Sequence, residues 1–340
     1  MKTPSFWYAT SSPRPPLLAR VLSPLASLYA AGARFHRNHA APRAVSIPVI
    51  CLGNLVAGGS GKTPTSIALM KLLKDRNNFL SPAFVTRGYR GKITGPERVD
   101  DSNNAVFWGD EALLLARHAT TYVAANRYLG ADHAQFNGAD AVLMDDGLQN
   151  YDLQKTVSFA VIDGMMGFGN GQVIPAGPLR QPLEDGLSRA DAFILIGDDT
   201  RSIRATLPAN KPVFSARITV PDHLDLPQTP YIAFCGIGFP DKFKATLTKH
   251  GTHCVAFHAF ADHHAFTMED MTRLVDDAIE HKARLITTEK DYVRLPDFSK
   301  KSMIDVLPIE IAFDDPDGIL AFIKNRPLLS PTDSGATIVQ

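Results

Sequence analysis

The apolar positions of the chain switch between a helical and an extended period. In residues 17–37, Leu18, Val21, Leu22, Leu25, Leu28, Tyr29 and Phe35 recur at spacings close to 3.6. Arg20, Ser27 and Arg34 fall seven apart on a more polar side, and Pro24 marks a point where such a helix can kink. A β-prone run follows at Val45, Ile47, Val49, Ile50, Cys51 and Leu52. Further short apolar runs at 82–86, 122–124, 141–144, 157–162 and 193–196 predict strands, with helices expected over 62–74, 108–117 and 126–135. Apolar strands separated by helices imply a parallel sheet covered on both faces. A Pro-rich break around 208–230, with 213–220 as a connecting strand pair, precedes a second α/β pattern. That pattern has strands at 231–235, 254–257, 285–288 and 306–313 and helices at 239–250 and 268–282. Residues 1–16 read as irregular with Phe6, Trp7 and Tyr8 exposed, and 330–340 as a frayed tail. The expected organisation is an N-terminal helical segment at 1–43, a core at 44–210, a connection at 211–230, a smaller α/β domain at 231–329 and the tail.

Composition narrows the class. Of 340 residues, 45% are hydrophobic and 21% charged, as in a protein with an ordinary buried core. Thirty-five basic residues against 35 acidic ones argue against a dedicated nucleic-acid binder. The charge is unevenly placed. Lys2, Arg14, Arg20, Arg34, Arg37 and Arg43 precede any carboxylate, the first being Asp75. A basic amphipathic segment of this kind suits a membrane interface, although a helix packed on the main domain has the same period. No apolar run approaches the ~20 residues of a bilayer span. Cys51, Cys235 and Cys254 are far apart in apolar strands, which reads as core packing in a reducing compartment.

The chemistry centres on 49–63, V-I-C-L-G-N-L-V-A-G-G-S-G-K-T. A strand, a glycine-rich turn and a helix start together form a phosphate-binding loop (P-loop). Gly58, Gly59, Ser60 and Gly61 supply the cradle, Lys62 reaches the outer phosphates and the Thr63 hydroxyl is placed for Mg²⁺. Val56 stands where the strict pattern has its first glycine, and Ala57 where a related branch has an extra lysine. The 141–144 run delivers Asp145 and Asp146 to a strand end, the form of a strand that holds Mg²⁺ with Thr63. Adjacent carboxylates there require a metal or arginine partner. Asp110 and Glu111 follow Gly109 at a helix start, either as caps or as an acceptor base and a further metal ligand. Asp262, His263 and His264 form a polar cluster in the second pattern. Arg87, Arg90 and Arg180 lie in glycine- or proline-rich loops suited to phosphate. Arg117 and Arg127 read as helix-surface residues, although either could reach a phosphate. The fold class is α/β: a P-loop NTPase domain with a mostly parallel sheet flanked by helices, a smaller C-terminal α/β domain and an N-terminal amphipathic helix. From these residues alone, a nucleotide-hydrolysing switch with a partner at a membrane competes with a phosphotransferase, and a scaffold with a degenerate P-loop is opposed by intact Lys62, Thr63 and Asp145.

Seven segments in order resemble one family: G-N-L-V-A-G-G-S-G-K-T-P at 53–64, R-G-Y-R-G at 87–91, G-D-E at 109–111, D-D-G-L-Q at 145–149, I-P-A-G-P-L-R at 174–180, F-A-D-H-H-A-F at 260–266 and T-E-K-D-Y-V-R-L at 288–295. Together they are similar to the tetraacyldisaccharide 4′-kinases, over about residues 10–325. The resemblance implies ATP- and Mg²⁺-dependent phosphorylation of the 4′-hydroxyl of an acylated disaccharide 1-phosphate, giving lipid IVA in lipid A synthesis. It further implies monotopic attachment of the N-terminal helix to the cytoplasmic face of the inner membrane, and no obligate protein partner. By the same resemblance Asp110 is the base, paired with His263. Lys62 and Arg180 act on the phosphates, and Thr63, Asp145, Asp146 and Glu111 are the metal-side candidates. Two positions depart from the family pattern. Asn150 stands where a histidine is common and Gln181 where a glutamate is common, so neither is expected to have an indispensable acid–base role.

Overall fold

The computed structural model describes residues 4–8, 16–76, 78–100, 104–221, 224 and 226–327. By its internal contacts the chain forms two units. The larger comprises Pro4–Ile218 together with the segment from Ile311 onward, and the smaller comprises Thr219–Glu310.

The larger unit begins with helix α1 (Leu17–Asn38), which runs through Pro24 without interruption. There follow β1 (Val49–Gly53), α2 (Lys62–Asp75), β2 (Pro82–Thr86), β3 (Glu97–Arg98), α3 (Ala105–Trp108), α4 (Asp110–Ala116), β4 (Thr121–Val123) and α5 (Arg127–Phe136). Next come β5 (Ala141–Met144), β6 (Val157–Asp163), α6 (Leu183–Arg189), β7 (Ala192–Ile196) and β8 (Val213–Thr219). The smaller unit holds β9 (Tyr231–Cys235), α7 (Pro240–Lys249), β10 (Cys254–Ala259), α8 (Met268–Glu280), β11 (Arg284–Thr288), α9 (Glu289–Tyr292) and β12 (Ile304–Leu307). The chain then returns through β13 (Glu310–Phe313) and α10 (Pro316–Lys324).

The large sheet has the order β13-β8-β7-β6-β1-β5-β2-β4-β3. Pairs from β8 through β4 are parallel, and β3 is antiparallel to β4. Alternation along β1 explains the layers. Ile50 and Leu52 join a core with Leu69, Met70 and Leu73 of α2, whereas Val49 and Cys51 join one with Ala131 and Ala134 of α5. Both faces of the central strands are thus buried, which is why they read as continuous apolar runs. Because β1 lies between β5 and β6, successive crossovers diverge from it, and the carboxyl ends of β1, β5 and β2 lie side by side. The smaller sheet is all parallel, in the order β10-β9-β11-β12.

Several expectations need correction. The 306–313 run is two strands in two sheets, interrupted at Pro308. Residues beyond 310 belong to the larger unit, not to a domain ending at 329. The reason is apolar packing: Ile319, Leu320 and Ile323 enter the α2 core, and Phe322 lies edge-on to Phe159 and Phe214 at 5.9 and 6.0 Å. The 213–220 segment is one strand of the large sheet instead of a connecting pair. Phe6, Trp7 and Tyr8 are half-buried, with the Trp7 indole donating to the Pro175 carbonyl at 3.1 Å. Cys254 is exposed. Short α3 and β3 and helix α6 carry too few residues to show a period, and the tail at 330–340 lies outside the described residues.

Candidate active site

The P-loop occupies the turn from β1 to α2. Gly58 and Gly61 have φ of 112° and 80°, a region costly for residues with a Cβ. A methyl group at Gly61 would also lie 2.8 Å from Ile196 Cδ1. Helix α2 has no side-chain cap at its N-terminus, so its end presents backbone dipoles to an anion. The loop is braced from two sides. Asn54 donates to the Ser60 hydroxyl at 2.8 Å, and the 174–180 motif pairs with its front. Ala57 N–H donates to the Pro178 carbonyl at 2.7 Å and Arg180 N–H to the Leu55 carbonyl at 2.9 Å. The G-P-L-R segment therefore sets the loop's shape as well as supplying an arginine.

The two aspartates after β5 have different surroundings. Asp145 is fully buried, accepting from Ser66 Oγ at 2.6 Å and from Thr63 Oγ1 at 3.2 Å. Burial and the Glu111 carboxylate push its carboxyl up to about 6, against the pull of Lys62. Asp146 adopts φ of 52° and turns its carboxylate to Lys62 Nζ at 2.8 Å and Arg180 Nη1 at 2.9 Å. Burial raises its carboxyl, yet those two cations more than offset this and hold it well below the usual carboxylate range. Asp146 is among the metal ligands that the sequence leads one to expect. Here its carboxylate is engaged by Lys62 and Arg180, and only Asp145 of the pair faces Thr63.

This donor set suits a hard divalent cation. Thr63 and Asp145 present oxygen ligands, and repulsion between Asp145 and Glu111 is the field that a cation relieves. Among the described residues no group of three or more His, Cys, Asp or Glu forms a cage.

Asp110 opens α4 and is 4% exposed. Gly109, at φ 85°, turns the chain into the helix, and Asp110 Oδ1 accepts the Glu111 N–H at 3.0 Å. Arg127 is not a helix-surface residue: it is buried at the N-terminus of α5. Its guanidinium donates to the Ala124 and Ala125 carbonyls at 2.6 and 3.1 Å, and Nε has no hydrogen-bond partner among the described residues. Burial and the nearby Arg87 bring it down to about 10. Its position just after β4 places a buried cation at the same end of the sheet as the P-loop. The only sequence signal for it is the Asn126 cap, which fixes where α5 starts.

In the smaller unit His263 has φ of 56°, and its N–H donates to the Gly236 carbonyl at 2.9 Å. His264 pairs with Asp270 at 2.8 Å and stacks on Phe260. Asn150 accepts from the N–H groups of Asp152 and Leu153, a local turn role, and Gln181 is buried near the Tyr151 hydroxyl. Neither is placed as an acid or base.

The family model for tetraacyldisaccharide-1-P 4′-kinase (LpxK) matches residues 18–327. The chain belongs to this 4′-kinase family. It is 42% identical over 337 residues to the tetraacyldisaccharide 4′-kinase of Rhodospirillum centenum, covering 98% of each chain. It is 43% identical over 330 residues to that of Rhodospirillum rubrum, covering 95% of this chain and 97% of the relative. The crystal structure of LpxK from Aquifex aeolicus in complex with ATP superposes with a TM-score of 0.72 at 25% identity, over 91% of this chain and 99% of that one. The P-loop, the paired aspartates and the bracing G-P-L-R segment described above are thus parts of a 4′-kinase fold.

Proposed function

We propose that this protein transfers the γ-phosphoryl group of ATP to the 4′-hydroxyl of a tetraacyldisaccharide 1-phosphate, as a kinase of lipid A biosynthesis. The observation that carries this reading is the division of labour after β5: Asp145 faces Thr63, while Asp146 ties Lys62 to Arg180 beside the P-loop. Thr63 and Asp145, with Glu111 nearby, would hold a Mg²⁺ ion, whose charge would neutralise the phosphates. Lys62 and Arg180 stabilise charge on the transferring phosphoryl group. Asp110 accepts the proton of the attacking hydroxyl, whose oxygen bonds to the γ-phosphorus as the bond to the β-phosphate oxygen breaks and ADP leaves. His263 is the second proton-handling group in this scheme. Radiolabelled γ-phosphate supplied as ATP is expected to appear in tetraacyldisaccharide 1-phosphate in detergent micelles. Steady phosphate release that ignores the lipid would instead favour a nucleotide-hydrolysing switch.

Helix α1 is proposed to hold the protein at the membrane surface. Leu17, Leu18, Val21, Leu25 and Leu28 are each more than half exposed, and Arg34 anchors the helix to Asp185 at 2.8 Å. Among the described residues no helix is long and apolar enough to cross a membrane. The exposed stripe fits interfacial binding, where each fully buried leucine contributes about 1.5–3 kcal/mol. Replacing Leu18, Leu25 and Leu28 together with Glu is expected to abolish co-sedimentation with anionic vesicles. Turnover of a short-chain soluble acceptor is expected to stay within about twofold of wild type if the helix acts through proximity alone. Undiminished vesicle binding would remove α1 from this role.

A further inference from the structure

Phe6, Trp7 and Tyr8 stand ahead of α1 and take no part in the scheme above, yet they lie on the turn that braces the P-loop. That turn, I-P-A-G-P at 174–178, contains two prolines. Proline brings no N–H, so such a turn closes few bonds of its own and leaves carbonyls for outside donors. The Trp7 indole donates to the Pro175 carbonyl at 3.1 Å, and the Ala57 N–H of the P-loop donates to the Pro178 carbonyl at 2.7 Å. The N-terminal segment and the P-loop thus grip one turn from two positions. Asn170 completes the grip. Its N–H donates to the Trp7 carbonyl at 2.7 Å, and its side-chain amide donates to the Phe6 and Ala176 carbonyls at 3.3 and 2.9 Å. The approach is close, since a Cβ at Gly169 would lie 2.5 Å from the Trp7 carbonyl oxygen.

Tyr8 extends the contact to the P-loop itself, with its hydroxyl 3.4 Å from the Ala57 carbonyl oxygen. Both backbone polar groups of Ala57 therefore face this assembly, the N–H toward the turn and the carbonyl toward Tyr8. Ala57 directly precedes Gly58, where the cradle begins with a φ of 112°. Residues 4–8, the 174–178 turn and the P-loop all belong to the larger unit. We propose that Trp7 is a positioning residue for nucleotide binding: segment 4–8 is a strap that holds the 174–178 turn, and through it Ala57, in the P-loop shape that binds ATP. This deepens the proposed function and rests on the ATP site given there. A segment that packs without shaping the loop would make the same contacts but have no thermodynamic link to ATP. If the strapped form binds ATP more tightly, ATP must favour the strapped form by the same factor.

Equilibrium dialysis of radiolabelled ATP, with no lipid present, reads one side of that link. Trp7→Ala is expected to raise the Kd for ATP by about tenfold, and Trp7→Phe, which keeps a ring but loses the indole donor, by about threefold. Hydrogen exchange reads the other side. The Asn170 N–H, held by the Trp7 carbonyl, and the Trp7 N–H, held by the Pro4 carbonyl, report whether the strap is seated. In the wild type both are expected to exchange about tenfold more slowly in saturating ATP, an effect lost in Trp7→Ala. A purely structural role would leave these amides indifferent to ATP. Trp7→Phe and the wild-type exchange decide the matter if Trp7→Ala does not fold. Unchanged ATP affinity in the folded variants, or wild-type exchange that ignores ATP, would overturn the inference and leave the proposed function standing. A wild type that binds no ATP would overturn both, so the two failures are distinguishable.

Discussion

Asp110→Asn is expected to lower kcat for lipid phosphorylation by about 10²–10⁴-fold, with the KM for ATP within about twofold of wild type. Asparagine keeps the shape of the side chain and can still accept the Glu111 N–H, so the start of α4 is preserved. It cannot take a proton from the acceptor hydroxyl. The loss should therefore fall on the chemical step and not on nucleotide binding. Burial of Asp110 at the helix start, next to Gly109 whose positive φ disfavours any residue with a Cβ, holds the carboxylate in place without a flexible side chain to reorganise. Single-turnover transfer of labelled phosphate, with ATP binding measured separately, checks the assignment. A loss of less than about tenfold would move the base to another group.

Asp145→Asn should produce two effects of opposite sign. Transfer is expected to fall by on the order of 10³-fold, since a carboxylate that holds a catalytic cation supports several kcal/mol of transition-state charge. The metal-free protein, by contrast, should become more stable at neutral pH. The Asp145 carboxyl sits at about 6 in the folded chain against an ordinary value of 3.8, raised by burial and by Glu111. A raised value favours the folded state below pH 4, where the group is neutral in both states. That advantage is lost as pH rises through 6, because the unfolded chain ionises first. Above pH 6 the buried charge costs the metal-free fold on the order of 3 kcal/mol. Asparagine removes this cost while still able to bond Ser66. Denaturant unfolding with a chelator present is expected to show a gain of about 1–3 kcal/mol at pH 7.5 that vanishes near pH 4. An equal gain at both values would mean that the charge of Asp145 is not the cause.

The same logic separates the two neighbours after β5. Their sequence positions differ by one residue, yet one carboxyl is raised and the other strongly lowered. The left-handed backbone at Asp146 turns its side chain away from Thr63 and toward Lys62 and Arg180. In this arrangement Asp146 holds the side chains of Lys62 and Arg180, and Asp145 of the pair faces the Thr63 hydroxyl.

What could be read from the chain alone was whatever is encoded locally. The apolar run of β1 with its glycine turn, the 141–144 run ending in two aspartates, the helical period of α1 and the alternation of short strands with helices all lie within about twenty residues of themselves. Periodicity reports such features because a strand or helix chooses its buried face from adjacent side chains. Partnerships over long separations needed the tertiary structure. Arg180 meets Asp146 across 34 positions, and the 174–180 motif braces the P-loop more than a hundred residues before it. Arg127 reads as a surface residue because its helix is amphipathic, and only the turn after β4 decides that it is buried. The return of β13 and α10 to the larger unit is likewise invisible in their own composition. Ile319 and Phe322 would suit any core, and the space beside Phe159 and Phe214 selects this one. The contact between Lys290 and His263 belongs to the same class, since 27 positions separate the two residues.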